Sequence, residues 1–270
     1  MSPIKEPTFF ALEGKPRGFF KGPGDQIDLL RTVHHMHDYL DLFKEASQFG
    51  ARGEASVGYL NMSDIAAPKI YHLIPEVKLI AILRHPADRA YSKYQQLVSQ
   101  GRENLTFQQA LSAEKSRIEM NWGWAWRYKA NGYYFRLLRP FYNHFCKEQI
   151  RIYLYDDWKN TPKIVLQDTL DYLGVNTSYI PQIEYANVTK LWRSRQLHKL
   201  LTGQSSLKTW LKPLIPASIR EKIMKNLVQI NSKKPPPLDP EIRYYLIQEY
   251  RDDILSLQDL IGRDLSHWLV

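Results

Sequence analysis

The chain has 270 residues and a mass of 31.8 kDa, enough for one large α/β domain or at most two small ones. With 44% apolar and 24% charged residues it falls outside the disordered and low-complexity classes. The net charge is +9 with a pI near 9.4, but residues 189–234 hold eleven Lys/Arg against the single acid Glu221. That segment carries more than the whole surplus, so the rest of the chain is close to neutral. One cysteine, Cys146, rules out an internal disulfide framework and favours a reducing compartment. No apolar run approaches the ~20 residues that span a bilayer. The opening MSPIKEPTFF has no signal-peptide core, so a cytoplasmic protein is the expectation. Seven Trp and seventeen Tyr suit either stacking surfaces for rings and sugars or a large aromatic core.

In chain order, residues 14–24 (GKPRGFFKGPG) read as a Gly/Pro loop, and a helix is expected from Asp38 through DYLDLFKEA. Ser63 is a candidate cap for a helix over DIAAPKIYHLIP. Lys78 to Leu83 (KLIAIL) is a short apolar run of the kind buried in a parallel sheet. Pro86 suits the first turn of a helix that runs to about Gln100 and stops before Gly101. Further helices are expected after Thr106, over about 133–145, and from Lys163 to Leu173, where Gly174 supplies a left-handed stop. Gln149 to Tyr155 reads as a second strand. Asp239 and Pro240 open a last long helix that ends at Gly262. Strands alternating with helices predict an α/β fold with a parallel sheet, in a single domain over residues 1–270. Within it 189–234 is a basic, partly helical insert and 239–262 the C-terminal helix.

The stretch richest in chemistry is KLIAILRHPADRAYSKY, residues 78–94. An apolar strand delivers Arg84 at its carboxyl end, where open α/β sheets bind ligands. Ser92 and Lys93 follow on the next helix, whose N-terminus favours anions through its free N–H groups and dipole. An Arg at the strand end and a Ser hydroxyl on the helix can hold one phosphate from two sides. The plainer reading pairs Arg84 with Asp88 and leaves Ser92 in solvent.

The segment RHPADRAYSKY resembles the 3′-phosphate-binding motif of sulfotransferases that use 3′-phosphoadenosine 5′-phosphosulfate (PAPS), most of all the heparan-sulfate-type group and its bacterial relatives. The resemblance implies a P-loop-NTPase-like three-layer α/β fold with a central parallel sheet flanked by helices. It assigns the 3′-phosphate to Arg84 and Ser92. The segment KEPTFF at residues 5–10 is similar to the family's Lys-Glu-Pro-x-Phe-Phe-like stretch, which makes Glu6 the catalytic base and places Lys5 beside the acceptor. Sulfuryl transfer to a hydroxyl needs such a base, and a placed carboxylate contributes about 10²–10⁴-fold. Read from the residues alone, Glu6 is an exposed N-terminal charge.

RGEASVGYL, residues 52–60, matches the family's Gly-Glu-x-Ser-x-x-Tyr, described there as a strand entering the active site. Glu54 and Ser56 are the corresponding acceptor-side residues; by itself Glu54 reads equally well as a core-edge ion pair. Ala55 stands where several members have Lys. NVTKLWRSR, residues 187–195, is similar to the loop that closes over PAPS, with Arg193, Ser194 and Arg195 as candidates and Trp192 able to stack on adenine. Gly132-Tyr133-Tyr134 and the terminal GRDLSHW also resemble the family. The family's opening strand, Gly-x-x-Lys-x-Gly-Thr-Thr-like loop and helix hold the 5′-phosphosulfate. These 270 residues contain no such string, so a missing first βα unit, low stability and little turnover are expected of the chain as it stands.

Other features carry less. His34, His35 and His37 lack a third-ligand scaffold and read as a polar helix entry, and no metal is expected. Cys146 reads as a buried thiol. Trp122, Trp124 and Trp126 suit an acceptor groove or core packing. The basic segment could steer anions toward a cleft. Its residues 205–234 interleave apolar and basic side chains, as a peripheral membrane contact would. No nucleic-acid motif accompanies it, so no nucleic-acid partner is expected. Two functions follow: sulfuryl transfer from PAPS to a hydroxyl-bearing acceptor, a carbohydrate or small molecule; or a non-catalytic protein of the same fold that binds anions or membrane surfaces.

Overall fold

The computed structural model describes residues 1–178, 191–192, 194 and 231–270. Its centre is a parallel pair of strands, β1 (Leu79–Leu83) and β2 (Ile150–Leu154), registered Leu79 to Ile150 through Leu83 to Leu154. A parallel pair requires a crossover, and here helices and turns between residues 86 and 149 supply it. Three helices pack around this centre: Ser63–Leu73, Tyr134–His144 and the C-terminal Pro240–Ile261. The fold is therefore α/β, with a parallel sheet flanked by helices.

Much of it follows from local signals. Pro86 is the first residue of the Pro86–Ser99 helix, which ends next to Gly101 at φ 71°. Thr106 caps Phe107–Ser112 through a reciprocal pair: its hydroxyl accepts from the Gln109 amide, and the Gln109 side chain accepts from the Thr106 N–H. Asp239 accepts from the amides of Glu241 and Ile242, and Gly262 ends that helix in the left-handed region.

Several expectations change. Ser63 is the first helical residue rather than a side-chain cap. The helix expected from Asp38 is a short one, Met36–Asp41, followed by a 3₁₀ turn at Lys44–Ala46. Residues 51–56 are extended but pair with no strand, and Val57–Asn61 is helical, so RGEASVGYL enters the site as a loop and helix. Ile80 and Ile82 are 40% and 53% exposed: alternate β1 side chains point to opposite faces, and only the face of Leu79, Ala81 and Leu83 meets the helices. Cys146 is exposed because it lies between the Tyr134–His144 helix and the turn into β2.

The main core joins Leu83, Leu97, Trp126, Tyr128, Leu246, Tyr250, Leu257 and Trp268, all almost inaccessible. The tryptophan run is core: Trp126 is fully buried, and Trp124–Trp126 is a 3₁₀ turn. Buried Asp25 holds this turn to the Gly/Pro loop. It accepts from the amides of Gly22 (2.8 Å) and Gly123 (2.7 Å), from Trp126 Nε1 (3.1 Å) and from Arg102 (3.0 Å).

Candidate functional site

Two walls meet at the candidate site. The first is the junction of β1 with the Pro86–Ser99 helix. Arg84 ends the strand, and its guanidinium lies over the Tyr155 ring, 5.1 Å from the centroid. Its carbonyl accepts from the Tyr134 hydroxyl at 2.9 Å. Asp88 does not pair with it: Arg243 of the C-terminal helix takes that carboxylate at 2.5 Å. Among the described residues the Arg84 guanidinium has no carboxylate partner, and Tyr155 covers one of its faces. His85 fixes the junction. Its Nδ1 accepts from the Ala87 amide, while Nε2–H donates to the Trp268 carbonyl at 3.2 Å. Burial, then the nearby Arg243 charge, pushes the imidazole pKa down, in keeping with this neutral tautomer. The terminal GRDLSHW thus buttresses the phosphate-type motif directly.

The second wall joins the two acceptor-side segments. Ser56 Oγ accepts from the Thr8 amide at 2.9 Å and donates to Glu54 Oε2 at 2.7 Å, while the Tyr59 hydroxyl donates to Glu54 Oε1. Gly58 allows this approach, since a Cβ there would lie 2.4 Å from Thr8 Cγ2. Glu6 and Thr8 both sit at positive φ, 58° and 53°, a conformation that costs a non-glycine residue about 1–2 kcal/mol. Thr8 Oγ1 donates to the Glu6 carbonyl at 2.9 Å, and Phe9 and Phe10 anchor the segment in a second core. The Glu6 carboxylate itself has no hydrogen-bond or ion-pair partner among the described residues.

Electrostatics tie the walls together. Burial raises the Glu54 carboxyl above its ordinary range; hydrogen bonds from Tyr59 and Ser56 oppose this, and the Glu6 charge adds to it. Glu54 makes no ion pair among the described residues and is instead a hydrogen-bonded acid. Burial lowers the Lys93 ammonium, with Asp28 and Glu6 pulling it up and Arg102 and Arg89 pushing it down. The Glu6 charge thus acts on both Glu54 and Lys93, the neighbour of Ser92.

Of the late-loop candidates, Ser194 exchanges two backbone bonds with the Asn231 side chain, 2.8 and 2.9 Å; Arg193 and Arg195 lie outside the described residues, as does most of 205–234. Trp192 donates its indole N–H to the Ser99 carbonyl, at the far end of the helix that begins at Pro86. Sequence reasoning placed Lys93 beside Ser92 but missed Tyr59, Thr8 and Tyr155. Tyr59 stands within the quoted Gly-Glu-x-Ser-x-x-Tyr pattern; the others have no local signal. Among the described residues no group of three or more His, Cys, Asp or Glu side chains could hold a metal, and no helix is long and apolar enough to cross a membrane.

These features meet a family. The sulfotransferase domain model matches residues 21–242, and the chain belongs to the sulfotransferase family. It is similar to the bifunctional heparan sulfate N-deacetylase/N-sulfotransferase 1 of Xenopus tropicalis, 27% identical over 222 residues, covering 80% of this chain and 23% of the relative. It is also 24% identical over 260 residues to the type 2 enzyme of Bos taurus, covering 93% of this chain and 26% of that protein. The chain thus spans about a quarter of the length of the curated relatives it matches. The crystal structure of a sulfotransferase from Alicyclobacillus acidocaldarius superposes with a TM-score of 0.75 at 28% identity, over 99% of this chain and 87% of that one.

Proposed function

We propose that the protein binds PAPS and transfers its sulfuryl group to a hydroxyl of a carbohydrate or small-molecule acceptor. The observation that carries this reading is the Thr8–Ser56–Glu54 chain of hydrogen bonds. It joins the KEPTFF and GEASVGY segments into one wall, beside which the Glu6 carboxylate has no partner among the described residues. Arg84 fits the 3′-phosphate because its guanidinium has no carboxylate partner among the described residues. Ser92 and the first turn of its helix supply further donors. Arg193, Ser194 and Arg195 are the candidates for closing over the nucleotide.

In this reading PAPS supplies an activated sulfuryl group with a good leaving group. Glu6 accepts the acceptor hydroxyl's proton as the oxygen attacks, and Lys93 sits close enough to steady the negative charge around it. Lys5, Glu54 and Ser56 line the acceptor side. The carbohydrate class is supported by the heparan sulfate relatives.

Two measurements test the reading. Adenosine 3′,5′-bisphosphate at a hundredfold excess over Kd raises the melting temperature by about 5–10 °C, since ligand binding adds about 2.7 kcal/mol and each kcal/mol is worth roughly 2–4 °C in a chain of this size. Arg84→Ala weakens that binding by about 10–100-fold, the scale of one charge-assisted contact. No shift with the wild-type protein, or the same shift in Arg84→Ala, removes the cofactor assignment. Sulfuryl transfer that is unchanged in Glu6→Gln excludes Glu6 as the base.

A further inference from the structure

The first turns of two helices meet beside Arg84. The Pro86–Ser99 helix starts two residues after it, and Asp88 stands in that helix's first turn. The C-terminal helix, Pro240–Ile261, presents Arg243 from its own first turn. Asp239 fixes this turn: its side chain accepts from the Glu241 and Ile242 amides, and its carbonyl accepts from the Arg243 amide at 2.9 Å. Leu246, Tyr250, Ile254 and Leu257 bury the rest of the helix in the main core. Arg243 Nη1 then lies 2.5 Å from Asp88 Oδ1.

Local preference does not account for Arg243. A cation in the first turn opposes the positive end of its own helix, whereas Asp88 suits the turn in which it sits. Both side chains are about one-third exposed, 34% and 36%, and a pair so placed adds little stability. Its consequence is electrostatic and falls on the strand–helix junction. Arg84 has no carboxylate partner among the described residues and lays one face over Tyr155. Asp88 is the acid nearest to it in sequence. An unneutralised carboxylate there competes for both things a phosphate needs, the Arg84 fork and the positive end of the Pro86–Ser99 helix. His85, between the two, registers both charges: beneath the larger effect of burial, Arg243 pushes its imidazole pKa down and Asp88 pulls it up. The balance between Arg243 and Asp88 is therefore felt at the residue next to Arg84.

We infer that Arg243 is a positioning residue for the 3′-phosphate: it holds the Asp88 carboxylate to itself and so leaves Arg84 and the start of the Pro86–Ser99 helix to the anion. The inference rests on the sulfotransferase reading and adds to it a residue that acts from the C-terminal helix, through Asp88. Because the pair is half-exposed and the helix is anchored by its buried face, removing either charge leaves the core contacts in place.

The test is a double-mutant cycle read by calorimetry with adenosine 3′,5′-bisphosphate. Arg243→Gln is expected to bind about tenfold more weakly: a half-exposed Asp88–Arg84 pair competes by up to about fivefold, and repulsion between the unmasked carboxylate and the phosphate adds a few-fold more. Asp88→Asn stays within about threefold of wild type, and Asp88→Asn/Arg243→Gln returns to within about twofold of Asp88→Asn, because no carboxylate is left to mask. A merely structural role for Arg243 predicts no such rescue. The second readout needs no nucleotide. The His85 imidazole is titrated by NMR in the ligand-free proteins; Asp88, Arg243, His267 and the Trp268 carbonyl face it, and only the first two change. Its pKa is expected to rise in Arg243→Gln and to come back down in the double variant. Wild-type affinity in Arg243→Gln, a double variant as weak as Arg243→Gln, or a His85 pKa unmoved by Arg243→Gln overturns the inference. A wild-type protein that binds no bisphosphate counts against the sulfotransferase reading, and the His85 titrations then decide whether Arg243 masks Asp88.

Discussion

Ser56→Ala removes one hydroxyl that serves two partners. The Thr8 amide loses its acceptor and Glu54 Oε2 loses a donor. Thr8 is 1% exposed, so no water replaces the lost acceptor. An orphaned buried N–H costs about 1–3 kcal/mol. Glu54 is only partly buried and keeps its bond from Tyr59, so its share is smaller. An opposing effect needs weighing. Freeing Glu6 and Thr8 from the left-handed region recovers up to about 1–2 kcal/mol per residue, if the backbone can move. It is held on both sides: Ser2 N donates to the Gly53 carbonyl, Val33 N to the Pro7 carbonyl, and the Phe9 and Phe10 side chains are buried. The strain therefore stays and the orphaned donor dominates.

The expected net loss is about 2 kcal/mol, read as a fall of about 4–8 °C in Tm by differential scanning calorimetry. Hydrogen exchange gives the local measurement: the Thr8 amide exchanges about 30-fold faster, the same energy expressed as an opening equilibrium. Ser56 has extended backbone angles, φ −132° and ψ 110°, which suit a β-branched residue, so Ser56→Thr keeps the hydroxyl and restores protection. A Tm within about 1 °C of wild type and an unchanged Thr8 exchange rate would refute the claim that this hydroxyl joins the two segments.

Three further outcomes follow from neighbouring geometry. Glu6→Gly relieves the positive φ at that position, so stability holds or rises by up to about 1 kcal/mol while sulfuryl transfer is lost; a clear drop in Tm contradicts the strain at Glu6. Gly58→Ala drives a methyl into Thr8 Cγ2 and the Trp124 ring and costs about 1–3 kcal/mol in a urea melt, with an unchanged midpoint counting against the close approach. His85→Asn flattens part of the pH dependence of stability. Because burial lowers the folded-state pKa, the unfolded chain binds the proton more readily; wild-type stability then falls as pH drops below the ordinary histidine value of about 6.5 and levels off beneath the depressed folded pKa. Melting curves between about pH 4.5 and 7.5 that are parallel for the two proteins would show that His85 does not titrate this way.

The scaffold around the phosphate-type motif was legible because its signals are local. Pro86 can only open a helix, Thr106 and Gln109 complete each other's hydrogen bonds three residues apart, and Asp239-Pro240 with Gly262 brackets a helix at both ends. Where partners are remote in sequence the reading stops. Asp25 looks like any loop acid until Gly123 and Trp126, about a hundred residues on, donate to it. Asp88 and Arg84 are four residues apart and invite pairing, yet Arg243 arrives from the C-terminal helix and takes the carboxylate. Segment 51–56 has the look of a strand, but no neighbouring strand offers a ladder, and its hydrogen bonds go to Ser2 and Thr8 instead.

Glu6 shows most sharply what packing adds. Six residues from one end, with no apolar pattern around its carboxylate, it reads from composition as a solvated charge. The structure gives that charge a fixed place: Pro7 to Leu12 are buried, the backbone at residues 6 and 8 is held against its steric preference, and Ser56 and Val33 secure it from two directions. A fold that maintains about 1–2 kcal/mol of strain at residues 6 and 8, and gives the Glu6 carboxylate no partner among the described residues, is arranged to present that group to a ligand. Burial raises the neighbouring Glu54 carboxyl above its ordinary range, and the Glu6 charge adds to that rise.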